Sequence, residues 1–349
     1  MYEKQDTAQS EEKRETIQEI AIKLAEEQLR TLQVEIGPKE RTIFVLGSKG
    51  AGKSTALAKF FDRDDNPRPT LALEYSYGRR TSGTQKQVLN VWELGALDNA
   101  EQLISVPLRM HGLEHFAAII MLDLSQPQRV WPDLEHIYHT LRAASNKLLN
   151  AEQEQTYRER MAERIKRNVS DVESLELMPY PVVIVGGKYD LFKDFEPAVK
   201  QHLCHCLRSM AHLIGGSVLF YSAKVPKLAK ILRDTMSHLG FGSPSHPFRA
   251  HVTDFNDALS IWFGTDSWDQ IGSAGVLSVE RIGSLLAAEM PQLNEAGGKK
   301  RKTKTQINDP AKDPGFRESI IDDMRAQKDK ELQALIKESQ LRGQFETIV

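Results

Sequence analysis

An octapeptide, GSKGAGKS at residues 47–54, constrains the fold of this chain more than any other segment. It follows a short apolar stretch, precedes a helical pattern and has the GxxxxGK[ST] spacing of a phosphate-binding loop, or P-loop. In such a loop the glycines let backbone N–H groups face phosphate oxygens, and the start of the next helix adds positive potential. The alternative is a loop that keeps this shape only for packing.

The P-loop motif assigns a role to individual residues. Lys53 is expected to reach the β and γ phosphates of a nucleotide, and Ser54 is expected to bind Mg²⁺. The residues predicted to bind phosphate are Gly47, Gly50, Ala51, Gly52, Lys53, Ser54 and Thr55.

The rest of the chain from residue 42 alternates short apolar segments with helical patterns, which predicts an α/β fold with a mainly parallel sheet covered by helices on both faces. The candidate strands are 42–46, 71–75, 88–94, 116–124, 181–185 and 217–221. The candidate helices are 55–61, 99–113, 132–167, 195–214 and 227–239. A Gly- and Arg-rich turn at 78–83 predicts that the second and third strands form an antiparallel edge pair.

Three further sequences are typical of GTPases and favour GDP or GTP over ATP. Thr70 lies where a switch threonine could bind Mg²⁺ and the γ phosphate. The segment GKYD at 187–190 resembles the guanine-reading [NT]KxD motif, in which Asp190 accepts hydrogen bonds from guanine and Lys188 stacks along the base. Ser222, Ala223 and Lys224 spell the loop that supports guanine. The alternatives are a helix cap for Asp190 and an ordinary strand-end turn for Ser222.

The hydrolytic residues of a GTPase are replaced. Where a GTPase has Asp-x-x-Gly, this chain has Trp92, Glu93, Leu94 and Gly95. Because successive side chains of a strand alternate between faces, Glu93 is expected on the opposite face, and the metal is expected to lose its carboxylate. Ala96 stands where a glutamine would orient the attacking water, and neither Arg79 nor Arg80 is an obvious arginine finger. The sequence therefore predicts a protein that is not an efficient enzyme.

The chain divides into a central domain with extensions at both ends. Residues 1–38 are predicted to contain an amphipathic helix that packs on the domain or binds a partner. Residues 39–240 form the GTPase-like domain, with a polar helical insertion at about 141–170 that is either a solvated helix or a lid. Beyond it we expect a wrapping extension at 241–291, a flexible basic linker at 292–315 and a partner-binding helix at 316–349.

Composition excludes several classes of protein. The 46 lysine and arginine residues against 48 aspartate and glutamate residues give a net charge of -2, which argues against nucleic-acid binding driven by bulk charge. The longest apolar run, 116–122, is too short to cross a bilayer, and the N-terminus lacks an apolar signal core, so we expect a soluble, unsecreted protein. Cys204 and Cys206, with His202 and His205, are expected to be helix residues rather than a metal site.

The residues resemble those of a known family, the light intermediate chains of cytoplasmic dynein. The resemblance is carried by VLGSKGAGKS at 45–54, PTLALEYSYGRR at 69–80 and VWELG at 91–95, including the degenerate Trp-Glu-Leu-Gly. The tail, with DPAKDP at 309–314 and IDDMRAQKD at 321–329, resembles the dynein 2 branch of that family.

The resemblance implies a noncatalytic subunit with a Ras-like P-loop domain. It implies that the chain binds and stabilises the tail of the dynein 2 heavy chain, together with other dynein 2 subunits. This motor serves retrograde intraflagellar transport and cilium assembly, so the implied location is the cytoplasm, the cytoskeleton and the cilium, with its axoneme and basal body. A guanine nucleotide and Mg²⁺ are the possible cofactors. The competing hypotheses are a slow or activator-dependent GTPase switch and a P-loop adaptor unrelated to motors.

Overall fold

The computed structural model describes residues 40–63, 67–82, 85–97, 100–165, 172–242, 251–273, 275–293 and 318–346. The N-terminal helix predicted within residues 1–38 lies outside the described residues. So does the basic linker predicted at 292–315, apart from residues 292 and 293.

Within the described residues, seven strands form one sheet in the order β2-β3-β1-β4-β5-β6-β7. The edge strands β2 and β7 are antiparallel to their neighbours, and the strands between them are parallel. The strands are β1 (Glu40–Gly47), β2 (Leu73–Ser82), β3 (Gln85–Leu94), β4 (Phe116–Asp123), β5 (Val182–Gly187), β6 (Ser217–Phe220) and β7 (Ser260–Ile261). The mainly parallel α/β sheet expected from the sequence is confirmed.

Ten α-helices are described, besides a short 3-10 helix at Val172–Ser174. The first five are α1 (Lys53–Phe60), α2 (Ala100–His111), α3 (Pro127–Asn146), α4 (Ala151–Ile165) and α5 (Tyr189–Phe192). The others are α6 (Pro197–Leu213), α7 (Pro226–Phe241), α8 (Trp268–Ile271), α9 (Val279–Glu289) and α10 (Ser319–Glu346).

The central strands are buried on both faces. Every residue of β4 and β5 is buried, and so are all residues of β1 from Thr42 onward. Since successive side chains point to opposite faces, such strands need helices on each side, which explains their almost continuous apolar sequence. Helices α1 and α7 pack together against β1, α3 packs against β4, and α6 packs against β5 and β6.

Three details differ from the sequence prediction. Residues 78–82 belong to β2, where Gly78 pairs with Leu89, so the hairpin turn falls later than predicted. The helix predicted at 132–167 is two helices, because the helical backbone is interrupted between Asn146 and Ala151. Helix α4 within the predicted insertion is not fully solvated, since its Met161 and Ile165 are buried in the core.

The segment 251–293 returns to the central domain and adds β7, α8 and α9 to it. Strand β7 pairs with β6, and α9 packs against α6. Arg208 of α6 forms a bidentate ion pair with Asp266, through Nε to Oδ2 at 2.9 Å and Nη2 to Oδ1 at 2.8 Å. Both side chains are at most 10% exposed, so a buried charge pair fixes the extension to the domain.

Helix α10 contrasts with the rest of the structure, because residues 318–338 are all exposed. An ion pair between Arg68 and Glu318, 2.9 Å apart, lies at its start. The exposed apolar side chains of α10 are Ile320, Ile321, Met324, Leu332, Leu335 and Ile336. Neither this helix nor any other in the described ranges combines the length and apolar character needed to cross a bilayer.

Removing one member of the buried pair should destabilise the domain. Asp266→Ala leaves the Arg208 charge buried without its carboxylate, and we expect the free energy of unfolding to fall by about 3–5 kcal/mol. The control is Glu114→Ala, which breaks an exposed pair with Arg160 at 3.8 Å and should cost less than about 1 kcal/mol. Urea unfolding of the two variants measures both effects, and equal losses would contradict a structural role for the buried pair.

Candidate phosphate-binding site

The P-loop follows β1 and wraps tightly against the ends of the neighbouring strands. Gly47 has φ 141°, and a Cβ there would stand 1.8 Å from the carbonyl oxygen of Met121 in β4. Gly52, which precedes α1, also has a left-handed backbone, with φ 97°. These two positions require glycine, which explains their place in the motif.

The first turn of α1 leaves donors available to an anion. The N–H groups of Lys53, Ser54 and Thr55 open the helix and have no intrahelical acceptors, and Gly52 has no side chain to cap them. The Ala51 N–H, predicted to bind phosphate as well, instead donates to the Ser48 carbonyl oxygen at 3.2 Å, so it does not belong to this set of donors. Backbone donors at a helix start are the groups that anions bind. The donor set therefore suits a phosphate group.

The Lys53 ammonium is buried within the loop. Its Nζ donates to the carbonyl oxygens of Gly47 at 3.0 Å, Ser48 at 2.9 Å and Gly95 at 3.2 Å. Burial lowers the pKa of Lys53, while the nearby carboxylates of Glu93 and Asp133 raise it. The side chain thus joins the P-loop to the end of β3, and it would have to exchange one of these carbonyls for a phosphate oxygen.

The Glu93 side chain faces the P-loop, so the prediction that the site loses its carboxylate is wrong. Ser54 Oγ donates to Glu93 Oε1 at 2.6 Å. Glu93 pairs with Val45 across β3 and β1, and its side chain reaches the first turn of α1, where Ser54 lies. The carboxylate has moved by one position along the strand, and it still lies beside the serine expected to bind Mg²⁺.

The Trp92 side chain occupies the other face of β3. Its Nε1 lies 3.1 Å from His111 Nε2, and its ring centroid lies 4.9 Å from that of Tyr75. Burial is the largest influence on His111 and lowers its pKa. Trp92 therefore belongs to an aromatic cluster between β2, β3 and α2, and it does not occupy the space inside the P-loop.

Thr70 lies close to the Glu93 carboxylate, with which it can form a hydrogen bond. Its Oγ1 donates to Glu74 Oε2 at 3.0 Å, and its carbonyl oxygen would stand 2.1 Å from a Cβ at Gly95. Burial raises the pKa of Glu93, and the hydrogen bond from Ser54 is the largest opposing influence. Thr70, Ser54 and Glu93 are thus brought together at the end of β3, as an Mg²⁺ site would require. No group of three acidic, histidine or cysteine side chains suited to a metal occurs among the described residues.

Two acidic residues of this region were not recognised in the sequence. Asp133 in α3 accepts a hydrogen bond of 2.5 Å from Ser48 Oγ. Asp123 ends the buried strand β4 and is only 4% exposed. A charged residue that closes an apolar strand was a usable signal for Asp123, whereas no local pattern distinguishes Asp133 from other helix residues.

The residues predicted to read guanine meet at the ends of β5 and β6. Asp190 Oδ1 accepts from Ser222 Oγ at 2.7 Å, and Asp190 Oδ2 lies 2.9 Å from Lys224 Nζ. These two hydrogen bonds lower the pKa of Asp190. The carbonyl oxygen of Ala223 accepts from Lys59 of α1. The Asp190 carboxylate is therefore ionised and oriented, with a side chain 18% exposed.

Lys188 is fixed by a different carboxylate. Its Nζ lies 2.7 Å from Asp123 Oδ2, and its backbone is left-handed with φ 58°. The preceding residue, Gly187, stands where the guanine motif has Asn or Thr. A Cβ at Gly187 would lie 2.3 Å from the Ala51 carbonyl oxygen, so the P-loop occupies the space of the missing side chain.

The two arginines near the site in sequence point elsewhere. The Arg79 guanidinium carbon lies 5.1 Å from the centroid of the Tyr77 ring, and that of Arg80 lies 5.8 Å from Phe241. In the β2–β3 register Arg79 pairs with Val88, whereas Glu74 pairs with Glu93 beside the P-loop. Five residues of strand, or about 17 Å, separate Arg79 from Glu74, so neither arginine is placed to neutralise a transition state.

The fold and this loop define a Ras-like P-loop protein. A family model described as dynein light intermediate chain matches residues 24–188. Cytoplasmic dynein 2 light intermediate chain 1 of Rattus norvegicus is 37% identical over 314 residues, covering 86% of this chain and 88% of the rat protein. The Homo sapiens protein of the same name is 36% identical over 308 residues, covering 84% and 87%. The chain belongs to the dynein light intermediate chain family.

A solved structure agrees on the fold. The crystal structure of the dynein light intermediate chain's conserved domain aligns with 73% of this chain and 92% of that domain, at 19% identity and a TM-score of 0.51. At this identity the likeness shows the fold alone.

The ionisation of Glu93 yields a stability prediction. Because burial raises its pKa, folding favours the protonated carboxyl. Its stabilising contribution is therefore complete below the unfolded pKa of about 4.3 and is lost as the pH rises through the folded pKa. Glu93→Gln mimics the protonated form. Without nucleotide or Mg²⁺ it should raise Tm at pH 7–8 by about 2–4 °C, equivalent to about 1 kcal/mol.

Thermal unfolding at several pH values tests this expectation. The gain should shrink as the pH falls toward 4. The control is Glu101→Gln, which changes an exposed carboxylate of α2 and should show no such trend. A lower Tm for Glu93→Gln at pH 8 would show that the ionised carboxylate stabilises the loop through Lys53, and it would refute the prediction.

Proposed function

We propose that this chain is a noncatalytic subunit of the cytoplasmic dynein 2 motor, which binds and stabilises the tail of the heavy chain. The observation that carries the proposal is the identity of 37% over 88% of a relative named as a dynein 2 light intermediate chain. In this role the subunit serves retrograde intraflagellar transport and cilium assembly, and it works in the cytoplasm, on the cytoskeleton and in the cilium with its axoneme and basal body. Other dynein 2 subunits are partners within the complex, and the transport machinery is reached through them.

The P-loop in this proposal holds a guanine nucleotide as a structural ligand. The backbone N–H groups of Lys53, Ser54 and Thr55, with the Lys53 ammonium, would hold its phosphates, and Gly47, Gly50 and Gly52 would shape the loop around them. Ser54 and Thr70 would bind Mg²⁺, with Glu93 accepting from Ser54. Asp190, held by Ser222 and Lys224, would accept from the base, and the Lys188 stem would lie along it. When bound, the metal would balance phosphate charge.

The same residues provide little for hydrolysis. Ala96 carries no group that could orient an attacking water, and the nearby arginines face aromatic rings on β2 and α7. Without these contributions, P-loop proteins lose several orders of magnitude in turnover. The Glu93 carboxylate could serve a metal site, but it replaces neither the water-orienting residue nor the arginine finger. We therefore propose that the chain is not an enzyme.

Helix α10 offers a surface for a partner in this assembly. Its six exposed apolar side chains follow helical spacing, and the described residues of the domain do not cover them. Burying an amphipathic face of this kind on another protein removes a large apolar area from water. We therefore propose that α10 binds another subunit of the complex.

Separating the ligand role from the docking role requires two measurements on one variant. Lys53→Ala should abolish nucleotide retention and, at nucleotide concentrations near 100 Kd, forfeit about 2.7 kcal/mol of ligand-linked stability. Co-purification with a dynein 2 heavy-chain tail should persist. The control is Lys49→Ala, which changes an exposed lysine of the same loop and should leave both properties unchanged.

Two results would contradict the proposal. Failure of the wild-type chain to bind the heavy-chain tail would refute the motor assignment. Loss of tail binding by a folded Lys53→Ala protein would show that the nucleotide controls assembly.

The Ser54–Glu93 contact favours one alternative, a slow or activator-dependent GTPase switch. A switch requires metal and γ phosphate to be sensed at the end of β3, where Thr70, Ser54 and Glu93 meet. Such a protein would bind its partner with affinities that differ at least tenfold between GDP and a nonhydrolysable GTP analogue. The structural-ligand proposal expects the two affinities to agree within about twofold.

A further inference from the structure

A second cavity lies at the opposite end of the sheet from the P-loop. It has a volume of about 680 Å³ and opens beside the amino ends of β1, β4 and β5, where Arg41, Phe116 and Pro181 line it. Arg41 and Gly47 are six strand residues apart, so about 20 Å separates this cavity from the P-loop. Its size is that of a pocket for a small molecule.

Cationic side chains from several elements converge on the cavity. Helix α4 contributes Arg160 and Arg164, which lie one turn apart on the same face, and β1 contributes Arg41. His115 and His238 also line it, as do the carboxylates Glu114 and Glu163. Glu114 lies 3.8 Å from Arg160, and both of these side chains are exposed.

The Arg41 guanidinium has N–H donors that are not used by strong hydrogen bonds. Its Nη1 lies 3.5 Å from the Leu239 carbonyl oxygen, at the limit of a hydrogen bond, and its buried Nε has no partner among the described residues. The guanidinium lies against the end of α7, where a Cβ at Gly242 would lie 2.6 Å from Arg41 Nη2. A buried guanidinium nitrogen without an acceptor is costly unless a ligand supplies one.

Arg164 faces the same space. Its guanidinium carbon lies 4.6 Å from the centroid of the Phe263 ring, which fixes it over the extension while it keeps contact with solvent. Burial lowers the pKa of Arg164, and the charge of Arg41 lowers it further. Within the described part of the chain, neither Arg41 nor Arg164 forms an ion pair with a carboxylate. Neighbouring like charges destabilise each other, and a bound anion relieves this repulsion.

We propose that this cavity binds a small soluble molecule that carries a phosphate group. Planar guanidinium groups present paired N–H donors that match phosphate oxygens, and three of them surround the cavity. Leu113, Phe116 and Met161 supply apolar wall for the remainder of such a molecule. A phosphate group has three acceptor oxygens and up to two negative charges, so it can accept from several guanidinium groups at once, which is why we favour a phosphate ligand over an acidic peptide.

Phenylglyoxal modification followed by mass spectrometry reports on each arginine separately. In the full chain, pyrophosphate at constant ionic strength should slow the modification of Arg41 and Arg164 at least threefold. Arg109, an exposed arginine of α2, is the control and should be unaffected. The protection should persist in Lys53→Ala, because the P-loop is a separate site, and Arg164→Gln should abolish the protection of Arg41.

Three outcomes would overturn the proposal. One is an unchanged modification rate in the presence of pyrophosphate. Another is protection that vanishes in Lys53→Ala, which would assign the effect to the P-loop. The third is protection by a poly-glutamate peptide and none by pyrophosphate, which would identify a docking site for acidic protein. Because wild-type protein supplies the primary measurement, a failure of Arg164→Gln to fold leaves the test intact.

Discussion

The structure depends on how closely the P-loop packs against the sheet. The Lys53 ammonium joins the carbonyls of Gly47 and Ser48 to that of Gly95 at the end of β3. On the other side, the Ala51 carbonyl oxygen occupies the space that a side chain at Gly187 would need. The loop is therefore a structural junction between β1, β3 and β5. Packing alone would favour much of its glycine-rich sequence, even if the loop bound or hydrolysed no nucleotide.

The same packing explains why the departures from a GTPase take the form they do. Trp92 contributes to an aromatic cluster with Tyr75 and His111, on the face of β3 away from the loop. Glu93 then places a carboxylate beside Ser54 from the next position along the strand. Although the Asp-x-x-Gly motif is replaced, Ser54 therefore still has a carboxylate beside it. The group that would orient an attacking water is not restored in this way, because Ala96 has no polar side chain.

Much of the fold could be predicted from the sequence, because buried parallel strands have nearly continuous apolar runs and the P-loop fixes where the first strand ends. Asp190, Ser222 and Lys224, predicted to read guanine, lie together because the ends of β5 and β6 are side by side, and their role stays a prediction. The face of Glu93 differs from the prediction because the Asp-x-x-Gly motif has its carboxylate at the position of Trp92, and the hydrogen bond from Ser54 shows that Glu93 faces the P-loop. Asp133 and the Arg41–Arg164 cavity depend on contacts between distant segments, which no local pattern encodes.

The central claim of the proposed function is that the P-loop retains a guanine nucleotide as a structural ligand and does not hydrolyse it. The most direct test of that claim is multiple-turnover release of γ phosphate from GTP by the purified chain, with saturating Mg²⁺ and with nucleotide occupancy measured on the same sample. A nucleotide that is only a structural ligand predicts an occupied site and no turnover on the scale of minutes. Repeated turnover within minutes by an occupied site would contradict it.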